Sequence, residues 1–155
     1  MNEIDIQLTR YGSQVATALT MAALADLSER YGGEGDSTPI QPGEFDPPEG
    51  AFLVAYLGHE PAGCVGFRTF AEDETTAEIK RMYVAPLFRG RGVAKALLAA
   101  VEDAARQAGR QRIWLETGTA QPEAIGLYER SGYARIADFG HYKGYPDVRS
   151  FGRDL

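Results

Sequence analysis

The chain has one cysteine, Cys64, so no disulfide can form within it, and a reducing, intracellular compartment is the expectation. It also lacks long apolar runs, with nothing near the roughly 18 uncharged residues of a membrane-spanning helix. The start, Met1-Asn2-Glu3-Ile4-Asp5, has neither the basic residues nor the apolar stretch of a secretory signal, which again points to the cytoplasm. Positive charge is scarce: 16 Lys plus Arg stand against 22 Asp plus Glu, a formal net charge of −6. That balance argues against a broad nucleic-acid face and leaves room for one local basic loop. The two histidines, His59 and His141, lie far apart with no carboxylate or cysteine cluster at ligand spacing, so no metal site is expected. No internal period appears, which excludes repeat architectures. No GxxxxGK followed by Ser or Thr occurs, which excludes a P-loop. Gly90-x-Gly92 is followed by Lys95 where a dinucleotide fingerprint needs Gly or Ala, and it comes late in the chain after apparent hairpins.

What is present suits one domain spanning residues 1–155, with 44% apolar and 25% charged residues. A globule of this size buries roughly 68–70% of the surface its unfolded chain exposes, enough for a core without staples. Ile4, Ile6 and Leu8 alternate as in a half-buried strand, and Val15, Leu19 and Ala22 then recur at helical spacing over 13–30, closing near Gly32-Gly33. Residues 33–50 have no clear period and read as a long loop or short helix, a kind of segment that is often functional. Three strands follow at 51–57, 61–71 and 76–84, with separators short enough for antiparallel hairpins. Gly90-Arg91-Gly92 then opens a helix with the stripe Val93, Leu97, Leu98, Val101, Ala104, Ala105 and Ala108, which needs a sheet to lie on. A short strand at 112–116, a helix with Pro122 in its first turn, and strands at 133–137 and 148–151 complete the order. The sum is a mixed α/β sheet with helices on its faces.

The segment richest in chemistry is Arg89-Gly90-Arg91-Gly92-Val93-Ala94-Lys95. Glycines leave backbone N–H groups uncovered, and the first turn of the following helix adds unpaired donors and the positive end of its dipole. Such a place binds phosphate, and three cations around it suit a phosphorylated cofactor.

The run Glu78 to Pro86 followed by Arg89-Gly90-Arg91-Gly92-Val93-Ala94 resembles the acetyl-coenzyme A signature of the GNAT N-acetyltransferases: Gln or Arg, two residues, Gly, one residue, then Gly or Ala. Ala124 to Tyr133 resembles that family's closing motif, and the element order is similar over nearly the whole chain. The resemblance implies a mostly antiparallel twisted sheet of six to seven strands with a splayed parallel pair, flanked by about four helices. It implies acetyl-CoA as the cofactor and a small-molecule or amino acid-like primary amine as the acceptor, attacked directly in a ternary complex. A peptide or antibiotic acceptor, or a non-catalytic acyl-CoA-binding module, are the alternatives, and the chain is a monomer or homodimer. The pantetheine arm is expected at Met82, Tyr83 and Val84, and the pyrophosphate on the backbone of Arg89 to Lys95. A bulky residue at Gly90 or Gly92 is expected to block that turn.

By the same resemblance Tyr128 is the leaving-group acid, and a backbone N–H near Tyr83 polarises the carbonyl. Glu78 is the first candidate for the base, against a substrate-orienting or salt-bridged role, and Glu116 is the second. Where the family commonly carries asparagine this chain has Gln121, which retains an amide with longer reach toward the cofactor arm. Cys64 is expected in the core, Trp114 in packing and His59 on the surface. Acceptor specificity is expected from 31–50 and 139–147. The first segment carries Glu34, Asp36, Glu44, Asp46 and Glu49 with no Lys or Arg, an acidic rim favouring a cationic amine or simply a solvated loop. The second, with the adjoining Arg149, brings His141, Tyr142, Lys143 and Tyr145, for a carboxylate or an aromatic pocket.

Overall fold

The computed structural model describes residues 3–155; Met1 and Asn2, part of the N-terminal reading above, lie outside the described residues. Its strands are β1 (Ile4–Leu8), β2 (Gly50–Leu57), β3 (Glu60–Phe70), β4 (Asp73–Val84), β5 (Arg112–Gly118), β6 (Ala134–Arg135) and β7 (Val148–Asp154). They form one seven-stranded sheet in the order β1-β2-β3-β4-β5-β7-β6. Its helices are α1 (Gln14–Tyr31), α2 (Val93–Gln107) and α3 (Pro122–Arg130), with 3-10 turns at Pro42–Phe45 and Pro86–Phe88. Every neighbouring pair is antiparallel except β4 and β5, which are parallel and therefore need α2 to carry the chain back across the sheet.

Both faces of the sheet are covered, so β2 reads as an unbroken apolar run rather than an alternation. Leu53, Ala55 and Leu57 pack with Val93, Leu97, Leu98 and Val101 of α2. Phe52 and Val54 point the other way, onto Ala16 and Leu19 of α1, with Phe45 and the wholly buried Cys64. The stripe of α2 is the one its sequence spacing gives. Leu97 at its centre has no exposure, and Leu97→Ala should cost about 2–5 kcal/mol in urea unfolding. A loss under about 1 kcal/mol would place the core elsewhere.

The first helix is turned relative to expectation. Ser13 caps it by accepting the Ala16 N–H at 3.3 Å, and Gly32, at φ +81°, ends it. Its buried line is Ala16, Leu19, Thr20 and Ala23 rather than Val15, Leu19 and Ala22, because small side chains let it lie close to the aromatic layer of Phe45 and Phe52. The strand expected at 133–137 shrinks to the two residues of β6. Tyr133 at its head instead turns inward, buried, and donates its hydroxyl to Glu102 at 2.7 Å.

Two irregularities in β4 position the site. Parallel pairing with β5 covers only Thr76↔Arg112, Ala77↔Ile113 and Glu78↔Trp114; beyond Glu78 the two strands part. Across β3 the register slips between Gly66↔Lys80 and Cys64↔Tyr83, a bulge at Arg81, whose φ of +61° is unusual for a non-glycine residue.

Candidate active site

The end of β4 runs through the turn Pro86–Phe88 into the glycine loop. Gly90 and Gly92 both have positive φ, and Gly92 caps α2 without a side-chain hydrogen bond. Outside the regular elements, Arg89 donates its N–H to Pro86 and Ala96 to Gly92, while no such bond uses the N–H groups of Gly90, Arg91, Gly92, Val93, Ala94 or Lys95. These donors stand in sequence at the start of a fifteen-residue helix, a seat for a phosphorylated group. Of the three cations expected around the loop, the two arginines are already in contact with other groups of the fold. Arg89 is tied back, donating to the Val84 carbonyl at 2.9 Å and pairing with Asp26, while Arg91 lies over Phe88. Val93 is buried in the core beneath the loop. A Cβ built on Gly90 or Gly92 meets no atom within 4 Å, so their requirement is for the left-handed backbone rather than for space in the turn, which corrects the blocked-turn expectation.

Where β4 and β5 part, a cavity of about 90 Å³ opens, lined by Met82, Tyr83, Leu115, Glu116, Gln121 and Tyr128 among others; Val84 lines neither this cavity nor the next. Tyr128 comes from α3, its ring 5.6 Å from that of Tyr133, and burial pushes its phenol above the ordinary value, so it stays protonated. Gln121, just before α3, accepts from the Tyr31 hydroxyl at 3.1 Å, so its amide is shared with α1.

A second cavity, of about 420 Å³, adjoins the first and shares Leu27, Asp36, Lys80, Glu116, Thr117 and Gln121 with it. The segments 32–37 and 142–148 enclose it. They are clasped together: Tyr142 donates its hydroxyl to Asp36 at 2.7 Å and receives the Ser37 N–H at 2.6 Å, and Ser37 Oγ lies 3.1 Å from His141 Nε2.

The two glutamates differ in setting. Glu78 is buried at the last rung before the strands part, accepts from Arg68 Nε at 3.0 Å and lines neither cavity, so the fold gives it the salt bridge. Glu116 lines both. Its Oε2 accepts the Tyr142 N–H at 3.0 Å, while its Oε1 is buried without a hydrogen-bond partner. Burial raises its pKa, partly offset by Lys80, the direction a proton acceptor needs.

The sequence reading had no role for Lys80 and Arg81, and placed Asp36 on an acidic rim. The bulge turns both cations toward Asp36, which pairs with Arg81, lies 3.8 Å from Lys80 and also accepts from Thr38 Oγ1 at 2.6 Å. These partners outweigh its burial and hold its carboxyl well below the ordinary range. The rim is thus partly neutralised from the sheet; Glu44 likewise pairs with Arg68. The available signal was two adjacent cations inside a strand, one of which must face inward unless the strand bulges. Asp36→Asn strands both, and thermal or urea melts should show a loss of about 3–5 kcal/mol at neutral pH. The lowered pKa makes the Asp36 contribution complete above the unfolded value of about 3.9, so the gap between wild type and variant should shrink as pH falls below about 4. A gap constant down to pH 2 would mean the carboxylate charge is not its source.

Among the described residues no group of three His, Cys, Asp or Glu could hold a metal, and no helix is long and apolar enough to cross a membrane. Trp114 packs with Phe70 and Phe139, and His59 is exposed in its turn.

The profile of the Acetyltransferase (GNAT) family matches residues 16–133, and the chain belongs to that family. Over 95 residues it is 39% identical to an IAA acetyltransferase of Azospirillum brasilense, a match covering 61% of each chain. Over 141 residues it is 35% identical to the human N-acetylaspartate synthetase, covering 84% of this chain and 46% of that one. The chain therefore spans about half to three fifths of such relatives. A solved Klebsiella pneumoniae protein assigned as an acyl-CoA N-acyltransferase superposes with a TM-score of 0.80 at 30% identity, covering 98% of this chain and 97% of that one. A GNAT acetyltransferase of Elizabethkingia anophelis, solved with acetyl-CoA bound, gives a TM-score of 0.70 at 21% identity, covering 98% of each.

Proposed function

We propose that the chain is an acetyl-CoA-dependent N-acetyltransferase whose acceptor is the primary amine of a small molecule. The observation that carries this is one continuous line of features. The N–H groups of Gly90 to Lys95 open beside the end of β4, the parted strands β4 and β5 lead inward from there, and their cleft joins the 420 Å³ cavity at Glu116 and Thr117. The residues fit the cofactor: anion donors for the pyrophosphate, a β4 edge without a β5 partner at Met82 and Tyr83 for the pantetheine amides, and a protonated phenol at the inner end.

Acetyl-CoA supplies an activated thioester carbonyl and a thiolate leaving group. The chain's residues do the rest. Glu116 takes the proton from the acceptor ammonium, a role that passes to it from Glu78 because Glu116 faces the cavities and Glu78 is held by Arg68. A backbone N–H of β4 near Tyr83, on the wall of the cleft, would donate to the carbonyl oxygen as charge develops there. Tyr128 would give its phenolic proton to the departing sulfur and recover one from the nitrogen that has bonded to the acetyl carbon. The first experiment is calorimetric titration with acetyl-CoA, CoA, NAD and ATP, followed by thiol release over an amine panel. The reading expects binding of the two CoA forms alone and acceptor-dependent thiol release; no response to either CoA form would overturn it.

A further inference from the structure

We infer that the acceptor is a primary amine on an apolar or aromatic body that carries no carboxylate; this rests on the acetyltransferase reading above. Charge around the larger cavity decides it. Glu34, Asp36, Glu116 and Asp147 line the cavity, against Lys80 as the one cation lining it among the described residues. That cation is buried and already engaged within the fold: its side chain is 5% exposed, and its Nζ donates to Thr38 Oγ1 at 3.2 Å and lies 3.8 Å from Asp36. Arg81, on the wall of the smaller cavity, is committed to the same carboxylate.

The cations that the sequence offers for a carboxylate lie elsewhere. His141 is turned to Ser37, Arg149 donates to the carbonyls of Pro146 and Val148, and neither these two nor Lys143 lines the cavity.

Asp36 with Lys80 and Arg81 carries one net positive charge, and Glu34, Glu116 and Asp147 outweigh it and leave the surroundings of the cavity net negative. An ammonium suits them, and a carboxylate on the same molecule is repelled. Glu116, on the wall of both cavities, gives the ammonium a carboxylate to meet. Beside the polar Ser37, Thr117 and Gln121, the wall has an apolar and aromatic part: Leu27, Val148, Tyr31, and Tyr142 edge-on to Tyr145 with ring centroids 5.4 Å apart. Tyr145, 59% exposed, presents an aromatic face of the kind that holds cations and apolar bodies.

The test uses matched pairs that differ only by a carboxylate: phenethylamine against phenylalanine, and cadaverine against lysine. Affinity is measured by calorimetry on the CoA-saturated protein and turnover by thiol release from acetyl-CoA. The expected result is tighter binding of the carboxylate-free member of each pair by about 100-fold, the scale of a like-charge clash across a specific contact. Equal or reversed affinity overturns the inference whatever the turnover, as does failure of both members to bind. The expected preference without thiol release supports the pocket chemistry and overturns the catalytic reading instead. In Asp36→Asn the freed Lys80 and Arg81 should narrow the preference at least about tenfold; an unchanged ratio in the folded variant overturns the charge argument. Should that variant not fold, Glu116→Gln serves: amine affinity should fall by about 10-fold or more, and an unaltered affinity overturns the assignment of the ammonium.

Discussion

Tyr128→Phe should lower kcat by about 10²–10⁴-fold while leaving acetyl-CoA affinity and stability nearly unchanged. The ring is a packing group: it is buried, and it lies against Tyr133 at 5.6 Å and Phe151 at 6.3 Å, contacts that phenylalanine keeps. The hydroxyl is the separable part. It belongs to a residue on the wall of the smaller cavity, and burial keeps it protonated across the neutral range, so its proton is available when a thiolate leaves. Stopped or steady-state thiol release with a saturating acceptor, set beside calorimetry with acetyl-CoA, separates the two functions. A kcat within about threefold of wild type would remove Tyr128 from the chemistry and leave it in the core.

The second large effect falls on binding. Gly92→Val should weaken acetyl-CoA by about 100-fold or more, with little change in the midpoint of unfolding. Gly92 sits at φ +83° with no atom within 4 Å of a built Cβ, so the added side chain has space. What it lacks is a backbone conformation: the left-handed region costs an L-residue about 1–2 kcal/mol, more when β-branched. The loop relieves that strain by rotating, and rotation turns away the N–H groups on either side of it. Each hydrogen bond to a charged group is worth about 1.5–3 kcal/mol, so one or two lost bonds give the stated factor. Arg91→Ala should do far less, about fivefold at most, since its side chain is exposed and screened. Comparable losses in the two variants would show that side-chain charge, not the main chain, holds the cofactor.

Local rules carried much of the fold into the sequence. The α2 stripe from Val93 to Ala105, the Ser13 cap, the Pro122 start of α3 and the order of the strands all follow from residues a few positions apart. So does the glycine loop, because a helix start preceded by two glycines exposes donors wherever it is put. Tyr128 could be named because the family resemblance of its motif singles it out among eight tyrosines, and Glu116 because it stands at the end of a strand. The pairing of Glu78 with Arg68 could not, because it depends on β3 and β4 lying side by side in one register.

The sequence by itself determined the element order, the mixed sheet, the family resemblance and the place where phosphate can sit. Tertiary structure alone decided the charge of the larger cavity. A one-residue bulge at Arg81 sets two neighbouring cations on one carboxylate from a distant loop, and that single event neutralises Asp36 and leaves Glu116 as the acid facing both cavities. A charge counts for a ligand only after its own partners are subtracted. The cations and the tyrosine that meet Asp36, namely Lys80, Arg81 and Tyr142, lie more than forty residues along the chain, where periodicity and spacing carry no information.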